Sequence, residues 1–167
     1  MKKFFAILLT VAMMATMSMT AFAATIDQDT EGNKGTVEVT YGVDEAYVVT
    51  IPANFTVGAT EGTEVSASNV VIPYGNQLTV SISSTHYDTE NNKWYLVDIE
   101  NATNKLNYTI KVNDTDVVSG GTILTVAAGT TETVSASLVT ALVDTATVSG
   151  TYKDTITFTV AVGAAQE

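Results

Sequence analysis

The sequence predicts an all-β protein, a two-sheet antiparallel β-sandwich (Ig-like) of about nine strands. Three observations predict it. Apolar and polar residues alternate over several short segments, as they do in strands with one buried face. Turn residues separate these segments at intervals of about 8–12 residues, which is the spacing of sandwich strands. No window combines a 3.6-residue apolar stripe with a helix cap.

The clearest alternation lies near the carboxyl end, in residues 150–162. Tyr152, Ile156, Phe158 and Val160 fall on one face, and the residues between them are mostly Thr and Lys. Burying these four side chains at roughly 1.5–3 kcal/mol each contributes about 6–12 kcal/mol before entropy is subtracted. We therefore expect a central strand here, with its apolar side against the opposite sheet.

Eight further segments complete the predicted sandwich. The first of them places Val39, Tyr41 and Val43 on one face, and Pro52 ends the second. Residues 139–147 are expected to be a loop or a helical turn. The eight predicted strands are 36–43, 46–51, 65–72, 78–82, 94–99, 105–112, 122–127 and 133–138.

The amino end has the features of a secretory signal peptide. Lys2 and Lys3 precede an apolar stretch over residues 4–15, and Ala21-Phe22-Ala23 is a small-x-small cleavage site. Cleavage after Ala23 is expected, and an uncleaved anchor helix is the alternative. The predicted organisation is then a signal peptide (1–23), a flexible acidic arm (24–35), a β-sandwich domain (36–162) and a short tail (163–167).

Composition limits the classes of partner. All five methionines lie in the predicted signal, the chain has no cysteine, and all seven basic residues are lysines. Cleavage would leave five lysines against 18 acidic residues, a net charge of −13. This charge argues against nucleic acid and anionic lipid as partners, and no membrane insertion is expected after cleavage. The absence of thiols suits an exported protein, and for such a protein it favours a Gram-positive origin.

Two short patterns resemble known families. The triplet Trp94-Tyr95-Leu96, together with the closing segment from Gly150 to Val160, resembles the WxL-type surface domains of Gram-positive bacteria, β-rich modules held non-covalently on peptidoglycan. Phe158-Thr159-Val160 stands where that family has its second Trp-x-Leu. The same closing segment is similar to the ending of spore-coat-protein-U-like pilin domains, which carry cysteines that this chain lacks. The resemblances imply wall association or a fimbrial role.

Four residues in the middle of the chain are candidates for ligand binding. Trp94, Tyr95 and Leu96 form the triplet, and Tyr87 lies in a polar loop beside Asp88. Flat aromatic rings can stack on the apolar face of a sugar. The alternative is that Trp94 and Leu96 are core or sheet-face residues.

An acidic stretch has the spacing of a calcium loop. Asp27, Asp29 and Glu31 precede Gly32, and Glu38 stands at the twelfth position. No helices are predicted on either side, so a solvated acidic arm is the alternative. Ca²⁺ at these residues is the one cofactor that the sequence suggests.

The sequence gives little support to enzymatic chemistry. Ser83, Ser84, His86 and Asp88 are too close along the chain to adopt a nucleophile–base–orienter geometry, and no G-x-S-x-G elbow surrounds either serine. Asp154 shares the predicted face of Tyr152 and Ile156, and a buried carboxylate needs a partner. An amide to Lys105 or Lys111 is one expectation for Asp154, and a solvated position at the strand end is the other.

Together these features predict a secreted, non-enzymatic bacterial surface protein. Its expected location is extracellular, secreted or associated with the cell wall, and its expected role is non-covalent wall association or adhesion. The partners would be cell-wall glycan or surface proteins. Two alternatives are a fimbrial subunit that assembles by strand exchange through residues 36–43, which includes self-association, and a carbohydrate-binding module.

Overall fold

The structure, a computed structural model, describes residues 7–10, 39–59 and 62–165, with only the backbone described for residues 7–10. All regular secondary structure in these ranges is β-strand. The strands are β1 (Ile7–Thr10), β2 (Ala46–Ile51), β3 (Thr63–Val71), β4 (Asn76–Ser83), β5 (Tyr87–Asp88), β6 (Lys93–Asp98), β7 (Lys105–Val112), β8 (Thr115–Asp116), β9 (Thr122–Ala127), β10 (Val134–Leu142), β11 (Tyr152–Lys153) and β12 (Thr157–Ala164).

The strands form two antiparallel sheets. The large sheet has the order β1-β2-β3-β10-β7-β6-β11, with β5 paired to β6 and β8 paired to β7. The small sheet has the order β12-β4-β9, and β9 contacts β3 and β10 of the large sheet. The predicted all-β, two-sheet antiparallel sandwich is therefore confirmed.

The core lies between the sheets and consists of the alternate residues that the sequence pattern predicts. In β4 the residues Leu78, Val80 and Ile82 are buried and their neighbours are not, which is the period of two of a strand with one covered face. Trp94 and Tyr108 are the largest fully buried side chains. The buried hydrophobic cluster is Val49, Val65, Ala67, Val70, Leu78, Val80, Ile82, Trp94, Tyr108, Ile110, Ile123, Leu124, Val126, Ala136 and Leu138.

Tight turns fix the registers of neighbouring strands. Between β3 and β4 the Asn76 amide donates to the Pro73 carbonyl at 3.1 Å, and Gly75 adopts a φ of 80°, a conformation that favours glycine. Between β7 and β8 the two turn residues, Asn113 and Asp114, both have positive φ. Two positive φ values in a two-residue loop match the right-handed twist of the flanking strands.

Two sequence predictions are wrong about strand ends. Within the predicted strand 36–43, residues 39–43 form no strand and are exposed, while residues 36–38 lie outside the described part. In residues 139–147, expected to be a loop or helical turn, β10 continues to Leu142. In the described ranges, the continuous run of sandwich strands begins at Ala46 and reaches Ala164.

The predicted central strand at the carboxyl end is also wrong. Tyr152 and Lys153 pair with β6 in the large sheet, whereas β12 is an edge strand of the small sheet and pairs with β4. The chain crosses between sheets at residues 154–156. Because β12 lies at an edge, Phe158 and Val160 are only half-buried. The crossing occurs at Asp154, whose buried carboxylate is held by both sheets, as described below.

Candidate functional site

An apolar segment of the chain lies outside both sheets. Residues 39–43, called here the apolar segment, precede β2 and are not in strand conformation. Val39 is 90% exposed, Tyr41 91% and Val43 66%. The alternation that predicts a strand is therefore present, but the apolar face that it creates faces water.

The outer edge of β2 accepts a strand. Ile7–Thr10 pairs with it antiparallel, from Ile7 opposite Ile51 to Thr10 opposite Val48. Tyr47, Val49 and Ile51 turn toward the core, and β2 contains no charged residue and no proline. Charge and proline are the usual means by which an edge strand is protected from pairing. The β2 edge is thus suited to receive an apolar strand.

The small sheet has a similar open edge at β12. This strand has eight residues, none of them charged or proline, and its only strand partner in the described structure is β4. Phe158, Val160 and Val162 are half-buried on its inner face. Below this edge a groove of about 650 Å³ opens between the sheets. Its apolar lining includes Phe55, Leu96, Ile156 and Phe158.

Asp154 lies at one side of this groove. Among the described residues, it is the buried carboxylate that accepts the most hydrogen bonds. Its side chain is 3% exposed. It accepts hydrogen bonds from the Ser84 hydroxyl at 2.5 Å, the Tyr108 hydroxyl at 2.6 Å and the Thr155 amide at 2.6 Å. His86 Nδ1 lies 3.2 Å from Oδ1 but is poorly aligned for a hydrogen bond. This last contact is therefore attractive chiefly when the imidazole is protonated.

These contacts explain why Asp154 tolerates burial. A buried carboxylate is stabilised when hydrogen-bond donors replace water, and Asp154 has three. Burial and, next, the hydrogen bond to Asp154 raise the pKa of Tyr108 above its ordinary value, so Tyr108 keeps its proton and donates it to the carboxylate. Lys105 and Lys111 are elsewhere: Lys105 Nζ lies over the Tyr95 ring and Lys111 Nζ is 3.8 Å from Asp116. The contacts of Asp154 thus do not support an amide to either lysine.

The residues considered for hydrolase chemistry do not form a catalytic triad. They are Ser83, Ser84, His86 and Asp88. Ser84 donates directly to Asp154 and accepts from the His86 backbone amide at 2.8 Å, so no imidazole nitrogen lies between the hydroxyl and the carboxylate. Asp88 organises its own loop: the side chain and then the backbone amide of Asn91 lower the pKa of Asp88 by hydrogen bonding. The His86 imidazole is therefore not placed between Ser84 and a carboxylate, as the histidine of a catalytic triad is.

The predicted binding residues occupy different environments. Trp94 is 1% exposed, and its indole N–H donates to the Val117 carbonyl at 2.8 Å. Tyr87 packs edge-to-face on Trp94, with ring centroids 5.0 Å apart, and its hydroxyl donates to Asn92. Leu96 is partly buried against the core. Trp94 is therefore a core residue in this structure, as the alternative interpretation expected.

Tyr95 points to the other side of the large sheet. Its ring stacks on His86 at a centroid distance of 5.3 Å, and Lys105 Nζ lies 4.3 Å from its centroid. Both contacts come from neighbouring strands or loops and hold the ring in place. Of the Trp-x-Leu triplet, only Tyr95 presents a ring on the outer face of the sheet.

The metal candidates Asp27, Asp29, Glu31 and Glu38 lie outside the described residues. Among the residues that are described, no group of three or more His, Cys, Asp or Glu side chains could hold a metal ion. The described part of the chain also contains no helix of the length and apolarity needed to span a membrane.

Comparison with protein-family models, with curated proteins and with solved structures finds no match to this chain.

Proposed function

We propose that this protein is a secreted, non-enzymatic bacterial surface protein that acts by non-covalent association, and that it associates by adding β-strands at open sheet edges. One observation carries this proposal: the apolar segment is patterned as a strand but is exposed. Val39 and Tyr41 are about nine-tenths exposed although they alternate with Thr40 and Gly42 in strand fashion.

The energetic reason is the cost of leaving this segment in water. Burying a Val or Tyr side chain on an apolar surface contributes roughly 1.5–3 kcal/mol each. Addition to a sheet edge also pairs the backbone N–H and C=O groups of both strands. The β2 and β12 edges, which contain no charged residue, provide such a surface.

Within this proposal the partners are surface proteins, including further copies of the chain, and the setting is the bacterial cell surface or wall. Strand addition requires no covalent anchor. A glycan platform is less well supported by the geometry, because Trp94 is buried and its neighbour Tyr87 packs on it. Self-assembly by strand exchange is therefore favoured over carbohydrate binding.

Light scattering coupled to size-exclusion chromatography tests the proposal on the secreted chain. We expect the molar mass to rise with protein concentration up to about 200 µM, the range in which weak association is detected. A pull-down with purified peptidoglycan is run in parallel. A chain that stays monomeric throughout would contradict the proposal, and a monomer retained on peptidoglycan would replace it with direct wall binding.

A further inference from the structure

The three strands of the small sheet carry no charge. β4, β9 and β12 contain no Asp, Glu, Lys or Arg, although the whole chain has 18 acidic and seven basic residues. The outer positions of these strands hold mostly hydroxyl or small side chains, such as those of Thr79, Ser81, Thr159 and Ala161. Two copies with a net charge of −13 each repel one another, so the small sheet is a surface on which they can meet without opposing charges.

The two edges of the small sheet differ in how they are protected. At one edge the register of β9 against β4 shifts at Val80, as in a β-bulge, and the adjacent residues Ile123 and Leu124 are both buried. At the other edge β12 pairs with β4 without a shift, from Thr157 to Ala164, and only one of its faces is partly buried. Bulges and covered faces hinder pairing at an edge. Of the two edges, β12 is therefore the one open to a further strand.

The backbone groups on the free side of β12 belong to the residues that face the core. The Ala165 amide donates to the Gly75 carbonyl at 2.9 Å, which extends the ladder between β12 and β4 by one pair. Hydrogen-bonded pairs of an antiparallel ladder recur every two residues, so the odd-numbered residues of β12 bond to β4. The N–H and C=O groups of Phe158, Val160 and Val162 then point to the free edge, where β12 has no second strand partner among the described residues.

A second β12 strand fits this edge in an antiparallel, symmetric register. Pairing across the edge sets even-numbered residues opposite even-numbered residues, so the core-facing side chains of both copies lie on the same side of the joined sheet. With Val160 opposite its own copy, Phe158 lies opposite Val162 of the second copy, an aromatic–β-branched pair of the kind that stabilises sheets. This register forms about six backbone hydrogen bonds, a number within the range of specific protein interfaces.

The groove beneath β12 gives the second strand an apolar surface to cover. Its lining includes Phe55, Leu96 and Ile156, next to Phe158 at the beginning of β12. In the symmetric register Val162 of the second copy lies beside Phe158 and faces this groove. The added strand therefore covers apolar side chains in addition to pairing the two backbones, and burial of apolar surface favours association.

We infer that two copies of this chain join edge to edge through β12, antiparallel and with Val160 at the two-fold axis, so that their small sheets form one six-stranded sheet. This inference rests on the proposed function, association through open sheet edges, and it names the partner and the surface. The interface is isologous and closes at two copies, because each β12 edge is used once.

A pair of charge-matched variants tests this edge. Val160→Lys places an ammonium group on the core-facing side at the axis, opposite the same group of the second copy, whereas Thr159→Lys places it on the outer face. Sedimentation velocity of the purified protein measures the concentration at half-association. Val160→Lys should raise this concentration about tenfold or more, and Thr159→Lys should change it less than about threefold. Val160 is half-buried, so its lysine replacement can reach water in the monomer, and circular dichroism checks that both variants fold.

The inference and the proposed function fail in different ways in this experiment. A molar mass of the parent that levels off at two copies supports the inference. Association that is equally strong in both variants would retain the proposed function and overturn the inference. A parent protein that stays monomeric up to about 200 µM would overturn both.

Cysteine cross-linking tests the register independently of Val160, and the chain has no cysteine that could interfere. In the symmetric register Thr159 lies opposite Ala161 of the second copy, and a disulfide needs Cα atoms within about 7 Å. Both positions are exposed. A tagged Thr159→Cys chain, mixed and oxidised with an untagged Ala161→Cys chain, should therefore give a mixed dimer, and neither variant alone should cross-link.

The comparison chain carries Gly42→Cys, at a position outside both sheets. Preferential cross-linking of Thr159→Cys to Gly42→Cys would retain the proposed function and overturn the inference, because the partner of β12 would then be the apolar segment. Cross-linking of Thr159→Cys or Ala161→Cys with itself would overturn the placement of Val160 at the axis.

Discussion

At the scale of single residues, two buried carboxylates lie beside the stretch of chain that leads from the large sheet to the small one. Asp98, 5% exposed, accepts from the Glu100 amide at 3.1 Å and the Asn104 side chain at 3.3 Å. Gly150 lies against it: a Cβ at that position would be 2.8 Å from Asp98 Oδ2. Asp154 then holds the crossing itself. The donors to Asp98 lie in the turn that follows it, whereas Ser84 and Tyr108 reach Asp154 from distant parts of the chain.

Gly150→Ala should destabilise the protein. The added methyl group would displace the Asp98 carboxylate from its donors, at a cost of about 1–3 kcal/mol, or roughly 2–12 °C in melting temperature. Thermal unfolding followed by circular dichroism measures this, with Gly42→Ala as the control because its surroundings are open. Equal melting temperatures for both variants would show that Asp98 moves freely.

Tyr108 should make the protein sensitive to alkaline pH. Its pKa is raised in the folded state above the ordinary value of about 10, so the folded state binds the phenol proton more tightly than the unfolded state. The resulting stability is fully present below about pH 10 and is lost as the pH rises further. Between about pH 10 and 11.5, the stability of the parent should fall more steeply than that of Tyr108→Phe.

The measurement is urea unfolding across this pH range for both proteins. At pH 7 the Tyr108→Phe variant should be less stable by about 1.5–3 kcal/mol, because it loses a hydrogen bond to a charged group. Parallel stability curves for the two proteins at high pH would mean that the phenol proton is not bound more tightly in the folded state.

At the scale of secondary-structure elements, the position of a strand in its sheet decides how deeply its apolar face is buried. β4 and β12 both alternate and pair along their whole lengths, from Ser83 opposite Thr157 to Asn76 opposite Ala164. β4 is the central strand and its inner residues are buried, whereas β12 is the edge and its inner residues are half-buried. The same sequence pattern therefore yields different burial in neighbouring strands.

A matched pair of substitutions measures this difference. Val80 and Val160 are opposite each other in the register, but Val80 is fully buried and Val160 is half-buried. Val80→Ala should cost about 2–3 kcal/mol and Val160→Ala about 1 kcal/mol, because less apolar area is lost at the edge. Urea unfolding of the monomer measures both. A cost at Val160 as large as that at Val80 would indicate that β12 is covered in solution.

At the scale of the whole molecule, net charge opposes the proposed association through strand edges. The chain after the predicted cleavage carries a net charge of −13, so two copies repel each other. Salt screens this repulsion, since the Debye length falls from about 30 Å at 0.01 M to about 8 Å at 0.15 M. Strand pairing itself depends on backbone hydrogen bonds and apolar contacts, which salt does not screen in this way.

The proposed association of the chain without residues 1–23 should therefore become stronger as NaCl rises from about 0.01 M to 0.15 M. Sedimentation velocity at fixed protein concentration measures the change. The Gly42→Asp variant, which adds one negative charge to each copy, should show a steeper dependence. Weaker association at higher salt would point to ion pairs between copies and against strand addition.

The sequence by itself determined the fold class and most strand positions. Alternation over residues 105–112 and 122–127 and the turn at Pro73–Asn76 are local signals, and the strands have those bounds because side-chain direction and turn conformation depend on near neighbours. The alternation of the apolar segment was also readable. The sequence did not reveal that this segment lies outside the sheets, because strand pairing depends on which sheet edge is free and on the register of the two strands.

Only the tertiary structure decided which strands are edges, where the chain changes sheets and what Asp154 contacts. Ser84 and Tyr108 reach Asp154 across 70 and 46 positions of the chain, so no local pattern reveals them. Sequence reasoning identified Asp154 as a residue that needs a partner, and the fold supplied hydroxyl groups rather than a lysine. The physical reason is that periodicity defines the faces of each strand, whereas packing selects which faces and edges meet.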